Sequence, residues 1–275
     1  MNEEIKNVAC IGAGLIGQGW ATLFAAAGYA VTVQALSDKK LNAATVQVRS
    51  NLKLLEDNGR LYHDTAAGAY NHLHTTLSLA EAVNRADYIQ ESIPDDYAAK
   101  KTVFRKMDAL AAGDTILASS SSGLLMSEIQ TGLARPDRCV LVHPCLPVHL
   151  IPLVEVVGGD QTTPETVETT CHLMEKIGKT PVRLKKEVSG YIVNRLQAAI
   201  LREAVDLVAN GVANAEDVDQ ADAAAARAFP QWRDTTAAVL EEALREATEA
   251  VEARHAEREE GEAGEGEAAE TEALR

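Results

Sequence analysis

Val8-Ala-Cys-Ile11, Gly12-Ala-Gly14-Leu-Ile-Gly17, Trp20-Ala-Thr-Leu-Phe-Ala-Ala-Ala-Gly28 and Gly28-Tyr-Ala-Val-Thr-Val33 follow one another near the start of the chain and decide its fold. The first is an apolar run of strand length, the third has helical periodicity, and the last returns to strand character. A GxGxxG pattern alone is a weak signal. Between a strand and a helix, inside one βαβ unit, it predicts a phosphate-binding turn. The first glycine permits the tight turn, and the second lets a pyrophosphate approach the backbone. The third allows close packing of helix on strand, while the helix N-terminus offers NH groups and a positive dipole.

The remaining pattern repeats that alternation. Asp38 to Gly59 is amphipathic, His72 to Thr76 begins a strand, and Leu79 to Val83 is a short helix. Ala86 to Glu91 is a strand ending at Ser92-Ile-Pro94, Ala98 to Leu110 a helix, and Thr115 to Ser119 a strand that opens into Ser119-Ser-Ser-Ser-Gly123. Met126 to Gly132, Pro164 to Ile177 and Tyr191 to Gly211 are further helices, and Pro181 to Leu184 is one more strand. Strands alternating with helices imply an α/β fold with a Rossmann-type, doubly wound, mostly parallel sheet. The serine loop then falls at the carboxyl edge of the sheet, where such folds hold ligands.

One imidazole and one carboxylate stand out against apolar neighbours. His143 ends Val140-Leu-Val-His-Pro144, and Glu155 lies inside Ile151-Pro-Leu-Val-Glu-Val-Val157. A Glu buried in a β-branched run needs a partner, and His143 is the nearest sensible one in sequence. A carboxylate that orients and charges an imidazole suits proton removal from an alcohol as hydride departs. Asn194, on an otherwise apolar helix, needs hydrogen-bond partners if buried, and a substrate oxygen or carbonyl serves.

Composition narrows the function classes. A hydrophobic fraction of 46% with 24% charged residues describes a soluble globular chain, and no window approaches the ~20 apolar residues of a membrane-spanning helix. Met1-Asn-Glu-Glu-Ile leads directly into the first strand, so no signal or transit peptide is expected. The net charge of −15 argues against a basic nucleic-acid face. Cys10, Cys139, Cys145 and Cys171 are scattered without a metal-ligand pattern. They indicate free thiols in a reducing compartment, hence a cytoplasmic location, and no metal is expected.

Together these segments resemble the 3-hydroxyacyl-CoA dehydrogenase family. The carrying phrases are Gly12-Ala-Gly-Leu-Ile-Gly17, Gln90-Glu-Ser-Ile-Pro94, Ser119-Ser-Ser-Ser-Gly-Leu-Leu125, His143-Pro144, Leu150-Ile-Pro-Leu-Val-Glu-Val156 and Lys186-Glu-Val-Ser-Gly-Tyr-Ile-Val-Asn-Arg-Leu-Gln197. They cover roughly residues 5 to 220 and favour the branch acting on small hydroxy acids, such as L-gulonate and L-carnitine, over acyl-CoA specialists. The resemblance implies a catalytic set of His143 as base, Glu155 as its orienting partner, Ser122 on the substrate oxygen and Asn194 fixing the reacting group. It also implies NAD, contacted by Gly12, Gly14, Leu15, Ile16, Gly17, Asp95, Lys100 and Ser122. The expected reaction is NAD-linked oxidation of a 3-hydroxyl in a small-molecule hydroxy acid. An L-carnitine dehydrogenase, a 3-hydroxyacyl-CoA dehydrogenase and a nucleotide-binding protein without turnover are the alternatives. A homodimer is expected through the helix from Tyr191.

The chain departs from the family pattern in three places. Ala35 stands where the family has the acid that bonds the adenine ribose, with Lys39 and Lys40 nearby, so NADP is also admitted. Leu146 replaces the Asn of a His-Pro-x-Asn-Pro loop, and Asp95 replaces a longer Glu. After Asp217-Val-Asp-Gln-Ala221 the family's further helices give way to other sequence. The expected organisation is a nucleotide-binding domain over 1–188 and the start of a helical, truncated or replaced second domain over 189–221. A non-family helical segment follows over 222–258, and a disordered acidic tail over 259–275.

Overall fold

The computed structural model describes residues 5–61 and 64–223, so the expectations for the C-terminal segment and tail fall almost wholly outside the described residues. Within them, strands β1 (Asn7–Ile11), β2 (Ala30–Gln34), β3 (Leu73–Thr76), β4 (Tyr88–Glu91), β5 (Ile116–Ser119), β6 (Cys139–Pro144), β7 (Leu153–Gly158) and β8 (Thr180–Arg183) form one sheet. Their order is β3-β2-β1-β4-β5-β6-β7-β8. β1 to β6 are parallel, β7 turns back antiparallel to β6, and β8 runs parallel to β7. The helices are α1 (Leu15–Ala26), α2 (Asp38–Asp57), α3 (Ala66–Tyr70), α4 (Leu79–Val83), α5 (Tyr97–Leu110), α6 (Met126–Ile129), α7 (Pro164–Lys176) and α8 (Val193–Ala209). Helix α3 and the single turn Pro136–Arg138 went unread in the sequence, being too short to show a period.

Strand alternation explains the two-sided core. On β1, Val8 and Cys10 face one layer while Ala9 and Ile11 face the other. Val140 and Val142 of β6 likewise oppose Cys139 and Leu141. The first layer holds Trp20 and Phe24 of α1, Leu41, Val48 and Leu52 of α2, and Leu173 of α7. The second holds Val83 of α4, Phe104 and Met107 of α5, and Met126 and Ile129 of α6. Strands buried on both faces are therefore almost continuously apolar, as parallel sheets require.

This parity also sorts the polar side chains. Glu91, Ser119, His143 and Glu155 share the second face with Leu117, Leu141 and Val157, whereas Gln90 shares the first with Tyr88. The chain winds outward from β1 through β2 to β3, then returns to β4 on the other side. The crevice above the carboxyl ends of β1 and β4 is the switch point at which open α/β sheets bind ligands. The compact unit that contains the sheet runs to Ala198. Among the described residues no helix is long and apolar enough to cross a membrane.

Candidate active site

Three glycines at the end of β1 do three different jobs. Gly12 has φ +103°, and a Cβ there would lie 2.7 Å from the Ser92 carbonyl oxygen. At Gly17 a Cβ would fall 1.9 Å from the Gly12 oxygen, so this glycine lets α1 sit against the turn. A Cβ on Gly14 would meet nothing within 4 Å. Gly14 begins α1 without a side-chain cap, which leaves the first NH groups of the helix open to a ligand. Gly12, Gly14, Leu15 and Ile16 line a cleft of about 1330 Å³, together with Ala35, Leu36, Lys40, Ser92, Asp95, Lys106, Ser120, Ser122 and Leu146. Gly17 lies behind it as a packing residue.

The His and Glu meet as expected from their context. Antiparallel register sets His143 directly opposite Glu155, and Nδ1 lies 2.8 Å from Oε2. Both are withdrawn from water, at 5% and 1% exposure. The second Glu155 oxygen accepts from the backbone NH groups of Ile192 (2.8 Å) and Val193 (3.1 Å) at the start of α8. One carboxylate thus caps a helix, whose dipole favours negative charge there, and holds the imidazole. With both oxygens engaged the buried charge is tolerated. A neutral imidazole that donates Nδ1–H to this carboxylate has its lone pair on Nε2.

Tyr191 closes this corner and was not singled out in the sequence. Its ring lies 5.1 Å from that of His143, centroid to centroid, and its hydroxyl donates to the Leu124 carbonyl at 2.6 Å. Its φ of +47° is left-handed, a strain of about 1–3 kcal/mol for a non-glycine residue. Full burial, with that hydrogen bond and the Glu155 cap just beyond, over-determines the conformation.

Ser122, Asp95 and Asn194 converge on one loop. The Ser122 NH donates to Asp95 Oδ2 at 2.9 Å, and its carbonyl accepts from Asn194 Nδ2 at 3.0 Å. The Ser122 side chain is exposed toward the cleft. Asn194 therefore reaches the serine loop's backbone, an anchoring contact the sequence did not specify. Lys100 departs from the direct cofactor contact expected of it. It is fully buried, 2.7 Å from Glu91 Oε1 and 3.4 Å from Asp95 Oδ1, and it does not line the cleft. It bears on the cleft through Asp95.

At the far end of the cleft, Ala35 is buried and contributes no carboxylate. Gln34 lines the cleft beside it, its amide donating to the carbonyls of Ala35 (3.1 Å) and Leu77 (3.3 Å). Lys40 of α2 and Lys106 of α5 both line this region. Leu146 is half exposed where an amide was expected. Its loop is held from below by Lys179, whose ammonium donates to the carbonyls of Val148 (2.5 Å) and Ile151 (2.7 Å). Burial lowers that lysine to about 8. Burial favours the protonated thiol at all four cysteines, pushing Cys10 and Cys139 up to about 12 and raising Cys145 and Cys171.

Comparison with known proteins identifies the family. Residues 7–188 match the family model described as 3-hydroxyacyl-CoA dehydrogenase, NAD binding domain, and residues 190–230 match the C-terminal domain of that family. The second match passes Ala221, where the motif likeness was expected to stop. A lambda-crystallin homolog of Rattus norvegicus is 41% identical over 213 residues, 77% of this chain and 67% of that protein. An L-carnitine dehydrogenase of Pseudomonas sp is 40% identical over 219 residues, 79% of this chain and 67% of its own length. The solved structure of 5-formyl-3-hydroxy-2-methylpyridine 4-carboxylic acid 5-dehydrogenase, described as an NAD+ dependent dismutase, has 35% identity and a TM-score of 0.73, over 79% of this chain and 69% of that one. The chain spans about two thirds of the length of the curated relatives.

Proposed function

The chain belongs to the 3-hydroxyacyl-CoA dehydrogenase family, and from that premise we propose that it oxidises the 3-hydroxyl of a small hydroxy acid such as L-gulonate. The observation that carries this reading is the buried His143–Glu155 pair, linked through Tyr191 and Leu124 to the serine loop that borders the dinucleotide cleft. When bound, oxidised NAD supplies the hydride acceptor. His143 Nε2 takes the hydroxyl proton, and Glu155 stabilises the imidazolium that results. The Ser122 hydroxyl donates to the substrate oxygen from a loop that Asp95 and Asn194 hold in place. Asp95 and Ser122 line one end of the cleft; the glycine turn lies between them and Ala35.

The test is NADH formation from L-gulonate, L-carnitine and 3-hydroxybutyryl-CoA compared side by side. Turnover of L-gulonate ahead of the others is the expected result. Preference for another member rejects the substrate and keeps the dehydrogenase. Cofactor binding without turnover of any of the three favours a nucleotide-binding protein.

The acid-free end of the cleft makes a second expectation. A carboxylate at position 35 would bond the adenine ribose and repel a 2′-phosphate. Ala35→Asp should tighten NADH roughly ten- to a hundredfold, the value of one charged hydrogen bond, and weaken NADPH. Titration of both cofactors checks this, and an unchanged NADH affinity rejects it.

For assembly we propose a homodimer. Helix α8 leaves Leu196, Ile200, Leu201 and Val205 each about 60% exposed, an apolar stripe of the kind that marks an interface. Light scattering should give a mass near that of two chains, and a well-behaved monomer contradicts the proposal.

A further inference from the structure

We infer that Ser92 donates a hydrogen bond to the bound dinucleotide, its hydroxyl aimed into the cleft by a buried chain of hydrogen bonds that has one permitted direction. The inference rests on the cleft being a dinucleotide site. Nothing in the reading of the sequence assigned Ser92, Ser120, Gln90 or Trp20 a role of this kind.

The chain begins at Tyr88, which is fully buried. Its hydroxyl has one hydrogen-bond partner among the described residues, Gln90 Oε1 at 2.8 Å. Burial raises the Tyr88 hydroxyl well above its usual range, so it stays protonated. A buried O–H has to donate somewhere, which fixes the Gln90 carbonyl toward Tyr88 and its NH₂ toward Ser120. Gln90 Nε2 then donates to Ser120 Oγ at 2.8 Å. Trp20 Nε1, which can only donate, reaches the same oxygen at 3.0 Å. Both lone pairs of Ser120 are now used.

Ser120 is 3% exposed and still has one proton to place. The remaining neighbour is Ser92 Oγ at 3.0 Å, so Ser120 donates and Ser92 accepts. The Ser92 proton has no acceptor among the described residues. Ser92 and Ser120 both line the cleft, and Ser92 sits beside the glycine turn. Its carbonyl is the atom a Cβ on Gly12 would strike, and its own Cβ lies 3.9 Å from where a Cβ on Gly17 would be. The free O–H is therefore available, next to the phosphate turn, to an oxygen of the cofactor. The matching chemistry is a phosphate, ribose or carboxamide oxygen.

Parity explains the assembly. Tyr88 and Gln90 are two apart on β4 and share the face covered by Trp20 of α1. Glu91 and Ser119 occupy the opposite face with Lys100. The cleft is thus underpinned by an ion pair on one side of the sheet and by a neutral, directed network on the other.

The experiment measures NADH and ADP affinities, together with the melting temperature, for the parent chain, Ser92→Ala and Ser92→Thr. Ser92→Ala leaves the buried Ser120 hydroxyl without its acceptor, so it should fold but melt somewhat below the parent, and it should bind NADH roughly three- to tenfold more weakly, the value of one neutral hydrogen bond. Ser92→Thr, which keeps the hydroxyl, should retain the parent affinity. Weakening of NADH alone assigns the acceptor to the nicotinamide half, and equal weakening of ADP assigns it to the adenosine diphosphate half; either supports the donor. Unchanged NADH affinity in a folded Ser92→Ala overturns the inference. If Ser92→Ala does not fold, Ser92→Cys, a weak donor of similar shape, carries the same expectation. Failure of the parent chain to bind NADH or ADP rejects the cofactor reading itself, which separates the two failures.

Discussion

His143→Gln should bind NADH as the parent chain does and oxidise its 3-hydroxy acid roughly two to four orders of magnitude more slowly, the range for losing a positioned general base. Glutamine is the informative replacement because its amide can still donate to Glu155 Oε2, now 2.8 Å from the imidazole. The buried carboxylate therefore keeps a partner. Its removal without replacement would add a stability loss of about 3–5 kcal/mol to the kinetic one and confuse the reading. Turnover is followed by NADH formation and binding by cofactor fluorescence. An unchanged rate would reject His143 as the base, whereas a parallel loss of binding would make it a cofactor-site residue.

The second large effect separates two glycines of one motif. Gly14→Val should melt close to the parent, since Gly14 has an ordinary φ of −77° and open space around its absent Cβ. The space that a side chain would fill is where a pyrophosphate has to approach, so NADH affinity should fall more than about a hundredfold, at least the value of a charge-assisted hydrogen bond or two. Gly17→Ala should do the opposite. Its Cβ would sit 1.9 Å from the Gly12 carbonyl oxygen, which neither backbone can avoid. A destabilisation of about 3 kcal/mol or more is expected, seen as a fall in melting temperature before any cofactor is added. A Gly14→Val protein that melts low yet binds NADH would show the glycine to be structural.

Much of this was written in the sequence because periodicity and parity carry it. The first βαβ unit, the order of strands and helices and the His143–Glu155 pairing follow from apolar runs and from a carboxylate that had to be partnered. The turn-back of β7 against β6, which sets those two residues opposite each other, was not read from the sequence, although a short loop between adjacent strands is what an antiparallel pair allows. The rest was hidden for identifiable reasons. Lys100 follows a strand end like a ligand-contacting residue, but its burial against Glu91 depends on which face of β4 carries the acid. Asn194 was legible as an amide in search of partners, though the partner itself, the Ser122 carbonyl, is 72 residues away. Tyr191 looked like the first residue of a helix, whereas a left-handed turn after Gly190 moves the helix start to Val193. The Tyr88–Gln90–Ser120–Trp20 network joins residues up to 100 positions apart and leaves no local signature.

The most direct test of the account is titration of the purified chain with NADH, with NADPH in parallel, followed by cofactor fluorescence. Saturable binding of NADH in the micromolar range, NADPH within about tenfold of it, and loss of both in Gly14→Val are the predicted results. No saturable response to either cofactor would contradict the dinucleotide cleft, and with it the dehydrogenase reading built on His143 and Glu155.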